Sequence, residues 1–156
     1  MISIFPHRGA GKVNFGMTRR QVEEAVGAPP RRRTKLSKFD LSPIDFFDSF
    51  AVYYDENDES SAIEFCRDEV RVEYDGYELL AHPAGEVRAW ARARDPNMEE
   101  EDGFVSMELG LSMYAPFIDE PDLDEEERGK PAQCFLAFRR GYYEEERKRL
   151  EMQNKT

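Results

Sequence analysis

Phe46-Phe47-Asp48-Ser49-Phe50-Ala51-Val52-Tyr53-Tyr54 is followed by Asp55-Glu56-Asn57-Asp58-Glu59-Ser60 and then by Ala62-Ile63-Glu64-Phe65-Cys66. The first segment is rich in aromatic and β-branched side chains that suit a pleated, half-buried surface, and it reads as a strand. The six polar residues after it read as a turn, and 62–66 as the returning strand of an antiparallel hairpin. Neighbouring strand residues point to opposite faces, so Tyr53 and Tyr54 cannot both enter one core. One tyrosine of the doublet belongs on a second face or a rim.

Working outward, residues 70–74 (Val-Arg-Val-Glu-Tyr) alternate and form a third strand, closed by Asp75-Gly76. Residues 77–81 extend it and turn at His82-Pro83. Strands resume over 103–114 and 133–139, with Arg140-Gly141-Tyr142-Tyr143 beyond. Upstream, Thr18 with Gln21 three residues later fits a capping box, and Met17 with Val22 a hydrophobic staple. Val22, Ala25 and Val26 make one apolar stripe, and Gly27 with Pro29 ends the helix 18–26. A second helix is expected over 84–94, where Val87, Trp90, Ala91 and Arg94 share a face and Asp95-Pro96 stops it.

The two halves, 1–81 and 82–143, follow the same order. A helix precedes an apolar strand ending at a Tyr (Tyr54, Tyr114), an acidic connection follows, and a strand bearing Phe returns. They read as a possible tandem repeat within a single domain spanning 1–143. The expected fold is α+β, an antiparallel sheet with helices on one face and a second face left open. Residues 144–156 form a charged tail, a frayed helix or disordered.

Composition bounds the function. The chain of 156 residues is 40% hydrophobic and 12% aromatic, enough for a core, which excludes a wholly disordered chain. No apolar run approaches the ~18 residues of a spanning helix, and the N-terminus lacks signal-peptide organisation. Two cysteines, Cys66 and Cys134, are too few for a disulfide-stapled secreted module. They read as ordinary core thiols that come close if the halves pair, and the expected compartment is the cytoplasm. The net charge of −11 argues against general nucleic-acid binding, which depends on cationic neutralisation of phosphates.

The charge is localised. Residues 99–128 hold twelve acidic side chains against Arg128 alone, while the other residues balance. Glu99-Glu100-Glu101-Asp102 is one cluster, and 119–127 is the other, with Asp119, Glu120, Asp122, Asp124, Glu125, Glu126 and Glu127. Two readings stand: a pair of solvated loops, or a negative surface that steers a basic partner. Arg31-Arg32-Arg33, Lys35 and Lys38 form the opposite pole, a short loop more in keeping with solvation or internal pairing than with a nucleic-acid site.

No catalytic set emerges. His7 and His82 have no second ligand at metal-binding spacing. Gly9-Ala10-Gly11-Lys12 lacks the upstream Gly and following Ser or Thr of a phosphate loop. Asp122, Asp124 and Glu126 have calcium-loop spacing, but Glu127 stands at the Gly position and Gln133 at the bidentate Glu. The sequence therefore predicts no enzyme, no cofactor and no metal.

Phe15-Gly16-Met17-Thr18-Arg19-Arg20-Gln21-Val22, through Gly27-Ala28-Pro29, resembles the Gly-Met-Thr-x-x-x-Val…Gly-x-Pro signature of the BamE-like and β-lactamase-inhibitor-protein-like folds. The resemblance implies helices against an antiparallel sheet and, in the inhibitor proteins, tandem repeats that bind a partner on a concave sheet. The N-terminal lipoprotein Cys of some members is missing here. Residues 52–65 and 107–116 also look like small acidic immunity partners of bacterial toxins. The expected function is thus a protein-binding inhibitor, an immunity protein that occludes the active site of a basic toxin domain. Glu99, Glu100, Glu101, Asp102 and the acids of 119–127 would steer; Tyr54 and Tyr114 would anchor. The alternatives are a housekeeping α+β protein with a small-molecule pocket or undetected enzymatic site, and a homo-oligomer whose exposed aromatics face themselves.

Overall fold

The computed structural model describes residues 1–34 and 43–154. Lys35 and Lys38, two of the five residues of the expected basic pole, lie outside the described residues. The chain is α+β, with two sheets rich in antiparallel pairing. The first sheet holds β1 (Ile2–Phe5), β2 (Gly9–Ala10), β3 (Val13–Asn14), β8 (Val72–Tyr74) and β9 (Tyr77–Glu78), in the order β3-β2-β1-β8-β9. Its β1 and β8 run parallel, with Ile4 opposite Tyr74. The second is antiparallel throughout and holds β4 (Arg32–Arg33), β5 (Ile44–Phe46), β6 (Ala51–Tyr54), β7 (Ser60–Cys66), β10 (Gly103–Ser106), β11 (Leu111–Tyr114) and β12 (Cys134–Phe138). Its order is β10-β11-β12-β7-β6-β5-β4, so β7 and β12 meet at the centre, each backed by the strand before it in sequence.

Helix α1 (Arg19–Val26) forms as its caps dictate. Thr18 Oγ1 accepts from the Gln21 amide at 3.2 Å, Gln21 Oε1 accepts from the Thr18 amide at 2.9 Å, and Gly27 closes the helix in the left-handed region. Helix α2 occupies Ala84–Arg94. Val22 and Val87 bury against Ile63, Phe65, Phe104, Leu111 and Phe135, which together make the main core between the sheets and helices. At Asp75-Gly76 both residues adopt positive φ, the geometry of a two-residue hairpin turn, and Tyr74 pairs with Tyr77 across it.

Two expected strands are each a hairpin. Residues 46–54 split into β5 and β6 because Asp48-Ser49 turn the chain, with Phe47 N donating to Phe50 O at 2.9 Å and the two rings stacked at 5.3 Å. Apolar residues on both sides of that turn hide it from a periodicity reading. Residues 103–114 likewise break into β10 and β11, where Ser106 Oγ accepts from the Leu109 amide at 3.0 Å and Gly110 takes positive φ. The strand expected at 70–74 belongs to the first sheet and does not continue the hairpin of 46–66.

The tail is more ordered than its charge suggests. Residues from Tyr142 form α4 (Tyr142–Asn154), and Tyr142, only 8% exposed, seats on Ala62 and Phe138. Those two residues point away from Ile63 and Phe65, so α4 begins on the face of the second sheet opposite α1 and α2. The first turn packs; the later charged residues with described side chains are mostly exposed.

Candidate functional site

The second face of the antiparallel sheet follows from strand alternation. It carries Tyr53 on β6, Glu64 and Cys66 on β7, Cys134 and Leu136 on β12, and Ser112 and Tyr114 on β11. Tyr143 closes one end, with its ring 4.9 Å from Phe138 and its hydroxyl donating to Ser112 Oγ at 3.2 Å. Tyr53 donates to Glu64 Oε2 at 3.2 Å. Burial pushes the Glu64 carboxyl above the ordinary glutamate range despite that hydrogen bond, and burial beside Glu64 pushes the Tyr53 phenol up as well.

Tyr114 is the exposed aromatic of this face. Half of its surface is open to solvent, at 50%. It pairs with Gly103 across β10, directly after the first acidic cluster, and the next residue, Ala115, donates its amide to Asp102 O at 2.7 Å.

Tyr54 is not an anchor. It is 0% exposed in the core, with the Arg19 guanidinium 4.7 Å from the ring centroid, and burial holds its phenol well above the usual range. The doublet divides as alternation requires, but with Tyr54 in the core beside Val52 and Tyr53 on the second face. The register of β6 on β7 shifts between Tyr53 and Tyr54, leaving Ser61 on β7 without an opposite residue.

The two acidic clusters meet at one arginine. Arg88 Nη1 donates to Asp119 Oδ1 at 2.7 Å, and its Nε lies 3.6 Å from Glu100 Oε1. Asp119 Oδ2 accepts the Asp102 amide at 3.2 Å, tying 99–102 to 119–127. Glu100 also pairs with Arg92. Arg92 and Arg88 hold the Glu100 carboxyl below the usual range, and Arg88 does the same for Asp119. Asp124 caps the short α3 (Glu125–Arg128), accepting from the Glu127 amide at 2.8 Å. Glu99 sits in a backbone bridge with Val105. Glu101, Glu120, Asp122, Glu125 and Glu126 are exposed and have no ion pair among the described residues. The site residues therefore divide into structural acids (Glu100, Asp119, Asp124) and acids left to the solvent.

The basic pole is internally paired where it is described. Arg31 pairs with Asp48, Arg33 with Glu23 and Asp45, and the Arg32 guanidinium lies 4.2 Å from the centroid of Phe46. Asp45, fully buried, is the hub that sequence reading missed. No local pattern marks it, because its partners Arg19 and Arg33 come from α1 and β4.

Cys66 and Cys134 form a disulfide, which replaces the expectation of two ordinary core thiols. They are directly opposed in register, and Arg67 N donates to Gln133 O at 2.9 Å just beyond them. That makes Cys66–Cys134 a non-hydrogen-bonded pair, the closer kind, and the Cα atoms stand 4.1 Å apart. The sequence signal was the expected proximity of the halves; the pairing itself required the register.

A separate cavity of about 450 Å³ opens on the other side of the sheet, against Phe5, Val13, Val26, Phe50 and Phe65. Ser3 and Lys12 are its polar side chains among the described residues. Among the described residues no helix is long and apolar enough to cross a membrane. No protein-family model, curated protein or solved structure matches the chain.

Proposed function

We propose that this chain is a stoichiometric protein-binding inhibitor of the immunity type, taking a basic toxin domain as its partner. The observation that carries the reading is Tyr114, half exposed and paired with Gly103 directly after the 99–102 cluster, together with acids that have no ion pair among the described residues. A planar aromatic on a rigid strand loses little conformational entropy on docking, and unpaired carboxylates around it accelerate encounter with a positive surface. The internal pairing of Arg31, Arg32 and Arg33 supports the same reading, because it leaves the acidic segment without a competing cationic loop among the described residues. The likeness of 15–29 to the inhibitor-protein signature adds a precedent for binding through a sheet.

The test pairs the purified chain with the basic domain encoded beside its gene. Neutralising Glu101, Glu120, Asp122, Glu125 and Glu126 together should slow association several-fold at low salt and flatten its salt dependence. Tyr114→Ala should mainly speed dissociation. Association that ignores both salt and these carboxylates would remove the acidic rim from the reading, and absence of any complex would overturn it. The small-molecule alternative gains little from the cavity at Phe5 and Phe50, whose lining lacks converging polar groups. Light scattering of the isolated chain distinguishes the self-associating alternative.

A further inference from the structure

Glu64, Cys66 and Cys134 converge on the second sheet face, with one ligand atom from each lying within 4.8 Å of the others. Cys66 Sγ is 3.8 Å from Glu64 Oε1. The other carboxylate oxygen, Oε2, is held by the Tyr53 hydroxyl at 3.2 Å, so the side chain is oriented with Oε1 turned to the sulfurs. All three residues are only partly buried, which leaves an approach from solvent. They arise from two strands in fixed register: Glu64 and Cys66 are two apart on β7 and share its face, while Cys134 lies directly across from Cys66.

We propose that the reduced Cys66–Cys134 pair and Glu64 form a binding site for one thiophilic divalent cation of the zinc class, which the disulfide state excludes. A dithiol reductant converts the disulfide to two thiols, taking up two electrons and two protons, and is itself oxidised to its disulfide. The cation then displaces a proton from each thiol and takes two thiolates and the Glu64 carboxylate, leaving a fourth position for water or a partner's ligand. Two sulfurs and an oxygen suit a tetrahedral zinc-class ion, with metal–sulfur distances of about 2.3 Å. Such distances require the sulfurs to separate to roughly 3.7 Å, within reach of side-chain rotation on a closely opposed strand pair. Tyr53 plays the part of the outer hydrogen-bond donor that fixes a ligating carboxylate. Burial already disfavours the Glu64 carboxylate anion, so a cation placed against it relieves an existing penalty. The inference is independent of the inhibitor reading, which concerns the neighbouring Tyr114 and the acidic rim.

The experiment uses the full chain, reduced with a dithiol, freed of reductant without oxygen, and titrated with cadmium. The expected result is a thiolate-to-cadmium charge-transfer band saturating at one ion per chain. It should be missing in the oxidised chain and in Cys134→Ser, and Glu64→Gln should weaken affinity at least tenfold with the band retained. The oxidised wild type and Glu64→Gln keep the test decisive if Cys134→Ser does not fold. No band in the reduced chain overturns the proposal, as does undiminished affinity in Glu64→Gln or one ion bridging two chains.

Discussion

Asp45 Oδ1 accepts a hydrogen bond from Arg19 Nη1 at 2.9 Å, and the Asp45 side chain has no exposed surface at 0%. Arg33 Nε donates to the same oxygen at 2.8 Å, so one buried carboxylate ties the start of α1 and the edge strand β4 to β5. Removing one member of such a pair leaves uncompensated charge, which costs about 3–5 kcal/mol in buried settings. Because Arg33 is partly exposed, Asp45→Ala should cost near the lower end, about 3 kcal/mol, read from the urea unfolding midpoint. A loss below about 1 kcal/mol would mean that both guanidinium groups regain water freely.

The Cys66–Cys134 disulfide closes a loop across a sequence separation of 68 residues. Loop-closure entropy for that length gives roughly 4 kcal/mol of stabilisation. Reduction should lower the unfolding free energy by about that amount, and Cys66→Ser with Cys134→Ser should reproduce it in the absence of reductant. Equal stability of the reduced and oxidised chains would refute this expectation.

The acidic groups predict opposite pH trends. Glu64 has a raised pKa when folded, so its contribution to stability is full below the ordinary glutamate value of about 4.3 and is lost as pH rises through the raised value. Glu64→Gln should therefore be relatively more stable than wild type at pH 7, with the gap closing toward pH 4. Asp119 is lowered, so its contribution is present above the ordinary aspartate value of about 3.9 and is lost as pH falls through the lowered one. Asp119→Asn should be less stable than wild type at pH 7 and converge with it in acid. Denaturant titrations at several pH values read both; gaps that do not change with pH would contradict the assignment.

Gly103 has φ of +131°, and a Cβ placed there would lie 2.0 Å from Met113 O across the β10/β11 ladder. Neither the backbone angle nor the ladder can relax cheaply, so Gly103→Ala should cost at least ~2 kcal/mol. The same substitution at Gly85, where nothing lies within 4 Å, should be neutral or mildly stabilising in α2. Thermal unfolding of the two variants compares them directly.

Glu101, Glu120, Asp122, Glu125 and Glu126 should matter little for folding. Converting each to its amide should change stability by less than ~0.5 kcal/mol, the ordinary range for exposed positions. A larger loss would show that these carboxylates support the loops, and would weaken their assignment to a partner surface.

Much of the secondary structure was legible because its causes are local. Thr18 and Gln21 are three residues apart, and Asp75-Gly76 supplies its own turn, so both could be read from a short window. The break at Asp48-Ser49 was not, since aromatic residues on both sides mimic one continuous strand. For the candidate site, the structure leaves Tyr114 half exposed and buries Tyr54: alternation says that the doublet divides, but not which face another element covers. The acidic clusters were visible as composition, yet their division into paired and unpaired members depends on Arg88 and Arg92, which α2 delivers from outside the segment.

By itself the sequence determined the α+β class, helix α1 with its caps, the span of α2, and where the charge lies along the chain. Tertiary structure alone decided the parallel pairing of β1 with β8, the meeting of β7 with β12 that joins Cys66 to Cys134, and the burial of Asp45 between two arginines. The difference is one of range. Caps and turns are settled by atoms within a few residues of each other, whereas register and burial are settled by the cooperative packing of strands from distant parts of the chain.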